Sequence, residues 1–263
     1  MYRWIGALAR LLLLAMAFLT GVTVMAQTTT LTVAAAADLQ SALREIAAQY
    51  EKSGAARLEL VFGSSGSLTT QIEHGAPYDV FMSANMDYPH RLENQGLAVL
   101  GTLTPYAIGS LVLWASKTSA LDVHALQFKA LTAPGVRAIA IANPEHAPYG
   151  KAAIAALRWA KLYETLKSRL VLGENVAQAA QFVASGNAQV GIIPLSFALA
   201  PELAQTGQWW ELPPESYPPI TQGAVVLRKS RNQKSAEAFV GFLKSAAAAA
   251  IFRRHGFKIP GER

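Results

Sequence analysis

Residues 31–50, LTVAAAADLQSALREIAAQY, join an apolar run to an amphipathic helical pattern through small residues. Leu31–Ala35 is short and wholly apolar or small, which is typical of a buried strand. The helical pattern after it has one apolar face, formed by Leu39, Leu43, Ile46 and Tyr50. A strand buried on both faces and followed at once by a helix is the repeating unit of an α/β fold.

The same alternation of apolar runs and helical patterns continues along the chain. Further strands are predicted at Leu58–Phe62, Asp79–Met82, Leu111–Trp114, Ala138–Ala142, Val190–Ile193 and Ala224–Leu227. Near the end, apolar residues from Phe239 to Ile251 keep helical spacing for over three turns, which predicts one helix that ends before Gly256. The pattern predicts parallel sheets covered by helices on both faces.

Composition excludes several classes of protein. The chain has 263 residues, 52% hydrophobic and 15% charged, enough for one large domain or two of about 100–130 residues. Its net charge of +6 is scattered without an aromatic-interleaved basic stripe, so no nucleic-acid partner is expected. The absence of cysteine excludes a disulfide scaffold, a cysteine nucleophile and a lipoprotein anchor.

The N-terminus has the pattern of a signal peptide. Arg3 and Arg10 supply positive charge, Leu11–Val24 is nearly all apolar or small, and Val24–Ala26 offers a cleavage site. The apolar run is shorter than the roughly 20 residues that span a bilayer, which favours cleavage over a membrane anchor. We therefore predict a signal peptide at 1–26, a mature chain at 27–263 and, without a lipid anchor, a Gram-negative periplasmic location.

Four strand-to-helix junctions are rich in small residues: Ala36–Asp38, Gly63–Ser67, Pro148–Gly150 and Gly173–Val176. Each places the free N–H groups of a helix start at the carboxyl edge of a sheet, where α/β proteins bind ligands and helices attract anions. Ordinary helix capping would explain any single junction. Four together, with Lys151 as their only basic neighbour, favour a site of neutral donors for a small, deprotonated oxyanion.

These junctions and several other motifs resemble the periplasmic molybdate- and tungstate-binding proteins of ABC importers. The motifs are Ala34–Leu39, Phe62–Leu68, Gln71–Ala84, Asn143–Gly150, Glu174–Val176 and Arg254–Phe257. The resemblance implies a two-lobed type II periplasmic binding protein, each lobe a central sheet flanked by helices, with ligand in the interlobe cleft. It places lobe I at 27–108 and 222–263, and lobe II at 109–221.

The resemblance also implies which residues bind the anion. Ser65 would donate its hydroxyl and N–H, while Tyr149 and Val176 would donate backbone N–H groups, and Asp38 stands where the family carries Ser, Thr or Asn. Secondary candidates are Ala37, Ser64 and Ser196. A family tyrosine is replaced by Pro194, which has neither a hydroxyl nor an N–H. We expect no cofactor, and no metal beyond the molybdenum or tungsten of the oxyanion.

Asp38 allows two interpretations. As a helix N-cap it would accept hydrogen bonds from backbone N–H groups, which is the interpretation that we favour. Beside a bound anion, a carboxylate is repulsive unless one of the two groups holds a proton. Protonated phosphate meets that condition, whereas molybdate, tungstate and sulfate at neutral pH do not.

The expected function is capture of molybdate, and also tungstate, by hinge closure in the periplasm. A monomeric receptor would deliver the anion to a membrane permease driven by a cytoplasmic ATPase. Another tetrahedral oxyanion, phosphate or sulfate, is the alternative ligand. A secreted enzyme with an anion-binding cleft is the alternative class, but G-x-S-x-G, H-E-x-x-H and Walker A motifs are absent, and none of the five histidines is paired at metal spacing.

Overall fold

The computed structural model describes residues 29–262 and contains two five-stranded sheets. The predicted signal peptide, 1–26, lies outside the described residues. The strands of the first sheet are β1 Thr30–Ala36, β2 Arg57–Gly63, β3 Val80–Ser83, β4 Thr104–Gly109 and β10 Ile220–Val226. Those of the second sheet are β5 Leu111–Ser116, β6 Ile139–Ala142, β7 Leu170–Gly173, β8 Val190–Pro194 and β9 Gly207–Glu211.

Helices cover both sheets. Around the first sheet lie α1 Gln40–Lys52, α2 Ser65–Glu73, α3 Asp87–Asn94, α10 Gln233–Phe242 and α11 Ala246–Arg254. Between β5 and β10 come α4 Val123–Leu126, α5 Pro148–Trp159, α6 Tyr163–Leu166, α7 Val176–Ala184, α8 Leu195–Ala198 and α9 Pro201–Thr206. Four short 3₁₀ turns also occur, at Ala37–Leu39, Gln127–Thr132, Lys167–Arg169 and Pro214–Ser216. The elements around the first and second sheets are called the first and second lobe below.

The chain passes between the two sheets twice. β4 ends at Gly109 and β5 begins at Leu111 in the other sheet, and β10 returns to the first sheet at Ile220. The strand orders are β2-β1-β3-β10-β4 and β7-β6-β8-β5-β9. Each sheet therefore has its own apolar core, one around β1, α1 and α10 and the other around β5, β6 and α5.

Both sheets are mixed, so the prediction of parallel sheets was wrong in part. β1 pairs in parallel with β2 and β3, and β6 pairs in parallel with β7 and β8. β10 and β5 are antiparallel to both of their neighbours. The chain enters each of these two strands directly from the other lobe. No βαβ connection therefore requires either strand to run parallel to its neighbours.

The C-terminal helix is two helices, which corrects the prediction of one. α10 ends at Phe242 and α11 begins at Ala246, with axes bent by 62°. Ser245 caps the second helix, since its hydroxyl accepts from the N–H of Ala248 at 3.2 Å. Apolar spacing continued across the break and concealed this cap.

Within residues 29–262, no single helix has the length and apolarity needed to cross a membrane. The bent pair α10 and α11 meets both criteria only when the two helices are taken together.

Gly207 provides a test of the second core. It lies opposite Ser116 at the start of β9, and a Cβ there would overlap the indole ring of the fully buried Trp114. Because a buried ring has little room to move, Gly207→Ala is expected to lower the free energy of unfolding by about 1–3 kcal/mol, measured by urea denaturation. The matched control is Gly241→Ala within α10, where a Cβ meets nothing within 4 Å. Equal urea midpoints for Gly207→Ala and the unmodified chain would contradict the packing described here.

Candidate functional site

All four small-residue junctions meet at one cavity between the lobes. They follow the carboxyl ends of β1, β2, β6 and β7, the strands that pair in parallel. The cavity is small and is lined by Ala36, Ala37, Asp38, Gly63, Ser64, Ser65, Ala84, Ala147, Pro148, Tyr149, Asn175 and Val176. The lining contains no basic side chain, so any anion here must be held by neutral donors and helix N-termini.

Three helices begin at this cavity. Ser65 is the first residue of α2, Val176 is the first of α7, and Tyr149 follows Pro148 at the start of α5. N–H groups in a first helical turn have no acceptor within the helix. Among the described residues these three N–H groups also have no acceptor outside it, so they are available to a ligand.

In α2 and α7, caps satisfy the neighbouring N–H groups and leave those of Ser65 and Val176 free. Ser64 accepts from the N–H of Ser67, and Asn175 accepts from those of Ala177 and Gln178. Ser64, a secondary candidate, therefore lines the cavity but has a capping hydrogen bond of its own. Asn175 lines the cavity too, as a residue that sequence reasoning did not single out.

Ser65 can present two donors. Its side chain is buried, and Oγ accepts from the N–H of Ala84 at 2.9 Å. Because that bond uses a lone pair of Oγ, the hydroxyl proton remains available to another acceptor. Ser65 thus offers an O–H and an N–H to the same small volume.

Asp38 is not a helix N-cap, so the favoured interpretation of this residue was wrong. It is the middle residue of the turn Ala37–Leu39, whose capping position is Ala36, and it makes no side-chain capping bond there or to α1. Its carboxylate instead meets the first sheet, where Oδ2 accepts from Nε2 of Gln222 at 2.6 Å. Oδ1 is buried and has no partner among the described residues.

Burial raises the pKa of the Asp38 carboxyl from 3.8 to about 6. Hydrogen bonding by Gln222 and Tyr149 lowers this pKa, but only in part. Burial, followed by the nearby Asp38 charge, holds the pKa values of the Tyr106 and Tyr149 phenols well above 10. The phenols therefore stay neutral at physiological pH, and the carboxyl is the group in this cluster that can change its charge.

Neither Ser196 nor Pro194 contributes a side chain to the lining of the cavity. The hydroxyl of Ser196 donates to the backbone oxygen of Asp38 at 2.8 Å, across the lobes, and the residue does not line the cavity. Pro194 ends β8 and precedes α8 without donating a hydrogen bond. Neither residue therefore supplies the cavity with a hydroxyl in place of that of the family tyrosine.

Hydrogen bonds across the lobes hold the cavity closed. The N–H of Gly66 donates to the backbone oxygen of His146 at 2.8 Å, and Ser67 Oγ donates to Oε1 of Glu174 at 3.0 Å. Deeper in the cleft, Nε2 of Gln222 lies 3.0 Å from the hydroxyl of Tyr149. The structure is thus a closed form, in which residues of both lobes line the cavity.

Sequence reasoning missed Gln222 and Tyr106 altogether. Gln222 is fully buried in β10, where Oε1 accepts from the Tyr106 hydroxyl at 2.8 Å while Nε2 contacts Asp38. A lone glutamine inside an apolar strand was the available signal, because a buried amide needs partners. No group of three or more His, Asp or Glu side chains within 29–262 could hold a metal ion.

A family model described as bacterial extracellular solute-binding protein matches residues 31–258. The chain belongs to this family of solute-binding proteins. Among similar solute-binding proteins, the molybdate-binding protein ModA of Azotobacter vinelandii is 38% identical, over 88% of this chain and 91% of its own length. ModA of Rhodobacter capsulatus is 37% identical, over 85% and 86% respectively.

Solved structures agree with this membership. The periplasmic molybdate-binding protein of Azotobacter vinelandii superposes with a TM-score of 0.82 at 37% identity, covering 88% of this chain and 99% of that one. The fold class and the family resemblance predicted from the sequence are therefore confirmed. These relatives are named as binding proteins, which agrees with the expected class.

Proposed function

We propose that this chain captures molybdate, and also tungstate, as the substrate-binding component of an ABC importer. The observation that carries the proposal is the convergence of free donors from both lobes on one small cavity: Ser65 from the first lobe, Tyr149 and Val176 from the second. Two relatives above 35% identity are molybdate-binding proteins, which supports this choice of anion.

Binding and closure are one event in this mechanism. We take 27–108 with 222–263 as one lobe and 109–221 as the other, hinged where the chain passes between the sheets. An anion held first by one lobe attracts the donors of the other, and the bonds across the cleft then form. Each hydrogen bond to a charged oxygen contributes about 1.5–3 kcal/mol net, so a few such bonds suffice for tight capture.

Phosphate is the second candidate, and Asp38 is the observation that favours it. A carboxylate in the cavity could accept a hydrogen bond from hydrogen phosphate, which carries a proton of its own. Sulfate carries no such proton and is smaller than molybdate, so a cage spaced for the larger ion would leave it with longer bonds. Direct competition between the anions for the same cavity therefore distinguishes the two candidates.

The remaining partners follow from the same role. We propose that the signal peptide at 1–26 is cleaved on export and that the mature monomer diffuses in a Gram-negative periplasm. The closed form would dock on a membrane permease, with a cytoplasmic ATPase supplying the energy. Nucleic acid has no part in this function.

A thermal-shift screen of residues 27–263 tests the proposal. Molybdate, tungstate, sulfate and phosphate are compared at equal ionic strength, followed by calorimetry on each anion that stabilises the chain. A ligand at about a thousand times its Kd should raise the free energy of unfolding by about 4 kcal/mol. We expect this from molybdate and tungstate. Stabilisation by phosphate alone would favour the second candidate, and no response to any of the four would contradict oxyanion binding.

A further inference from the structure

Among the side chains that line the cavity in residues 29–262, only that of Asp38 has a buried polar atom with no hydrogen-bond partner at all. Oδ2 accepts from Gln222 at 2.6 Å, while Oδ1 is buried with no partner. The same carboxyl lines the cavity beside Ser65, Tyr149 and Val176. Oδ1 is therefore the oxygen of this carboxyl that is left without a hydrogen-bond donor.

No positive charge within residues 29–262 compensates this carboxyl. The groups that face it are the phenols of Tyr149 on α5 and Tyr106 on β4, the Gln222 amide on β10, the Ser196 hydroxyl on α8, and Val176 on α7. Both phenols stay neutral, as described above. Lys151, one turn into α5, lies instead over the ring of Tyr88, 5.9 Å from its centroid.

An ionised Asp38 is incompatible with a fully deprotonated oxyanion in this cavity. Both groups would present only acceptor atoms, and two like charges out of water repel strongly. A neutral carboxyl removes the repulsion and adds an O–H donor. Since Gln222 Nε2 already donates to Oδ2, the proton belongs on Oδ1, which is the free oxygen.

We propose that Asp38 binds the anion as a carboxylic acid, donating from Oδ1, so that the protein takes up one proton from solvent with each molybdate it binds at neutral pH. This inference rests on the proposed oxyanion function. It makes Asp38 a residue that determines both which anion binds and how binding depends on pH.

The direction of the pH dependence follows from linkage. Burial places the pKa of Asp38 at about 6 in the closed chain without ligand, and a bound anion raises this pKa further. Below the pKa that the carboxyl has in the free, open chain, the acid form is already present, so affinity changes little. Above it each binding event must gain a proton, and Kd is expected to rise by about tenfold per pH unit.

Calorimetry measures the proton directly. Molybdate at micromolar concentration is titrated into residues 27–263 at pH 7.5 in two buffers with different ionisation enthalpies, and the difference in heat gives the protons taken up. We expect close to one. The titration is repeated between pH 6 and 8.5, where Kd should rise steadily.

Two substitutions assign that proton to residue 38. Asp38→Asn keeps the shape and supplies an N–H donor that does not titrate, and Asp38→Ser supplies a hydroxyl. In both, proton uptake should vanish and Kd should become independent of pH. The matched control is Asp79→Asn, because that carboxylate accepts from the Thr32 N–H and the Ser230 hydroxyl outside the cavity. Its proton uptake should equal that of the unmodified chain.

Each other outcome overturns the inference. Molybdate binding without proton uptake would mean that Asp38 stays ionised or does not face the anion, and uptake that persists in Asp38→Asn would place the proton elsewhere. Preferred binding of hydrogen phosphate with no uptake would make Asp38 an acceptor. If neither neutral variant binds molybdate although both unfold at the temperature of the unmodified chain, a neutral donor at residue 38 does not account for anion binding. A chain that binds no tetrahedral oxyanion even at pH 6 contradicts the proposed function itself.

Discussion

Gly66→Ala is expected to weaken molybdate binding about a hundredfold without lowering the melting temperature. A Cβ at Gly66 would lie 2.8 Å from the backbone oxygen of His146 and 2.9 Å from its Cα, both in the opposite lobe. Backbone atoms cannot swing away, so the clash opposes closure by about 1–3 kcal/mol. The upper part of this range corresponds to about a hundredfold in Kd.

The melting temperature of Gly66→Ala should not fall, because separation of the lobes relieves the clash. The first lobe's own contact with the new Cβ is the Tyr88 hydroxyl at 2.7 Å, the far end of a side chain that can move. Alanine is also the better helix former within α2, by up to about 1 kcal/mol. Calorimetry and thermal unfolding of the same samples check both halves of the prediction, with Gly241→Ala as the control. Unchanged affinity in Gly66→Ala would mean that the ligand-bound form is more open than the structure described here.

Ser65→Ala is expected to raise the Kd for molybdate by about 10- to 100-fold and, unlike Gly66→Ala, to lower stability. Loss of the hydroxyl removes one hydrogen bond to a charged oxygen, about 1.5–3 kcal/mol. It also leaves the buried N–H of Ala84 without its acceptor, which costs about 1–3 kcal/mol of folding free energy. The N–H of residue 65 remains, so binding should weaken rather than disappear.

Calorimetry and urea denaturation check the two effects of Ser65→Ala separately. Ser185→Ala is the matched control, since that exposed serine follows α7 and donates only to the backbone oxygen of Phe182. A Ser65→Ala protein that loses stability but keeps its affinity would leave Ser65 with a structural role and remove it from the anion site.

Local sequence patterns predicted the parts of this fold that depend on local physics. The apolar run Leu31–Ala35 lies within β1, and Val190–Ile193 lies within β8, because continuous burial leaves a direct signature. β4, β7 and β9 were not predicted. β4 contains Pro105 and lies at the edge of its sheet, where a missing N–H is tolerated and full burial is not required.

The cavity was predictable in position but not in its internal hydrogen bonding. Small residues at helix starts located the junctions, since free N–H groups are a property of the helix end itself, and the family resemblance singled out Ser65, Tyr149 and Val176 within them. The environment of Asp38 depends on residues far away in the chain: Gln222 is 184 positions distant and Ser196 is 158. No local pattern encodes such contacts, so the preference for a cap, which is the usual local role of aspartate, was mistaken.

The position of β10 determines the order in which the two sheets can form. All five strands of the second sheet lie between Leu111 and Glu211, in one continuous stretch of chain. In the first sheet, β10 lies between β3 and β4 and pairs with both, so β4 has no neighbour until Ile220–Val226 is available. During synthesis from the N-terminus, the second sheet can therefore be complete while the first still has an open gap. For the export proposed above, this arrangement delays completion of the first sheet, because β4 cannot pair until the C-terminal part of the chain is available.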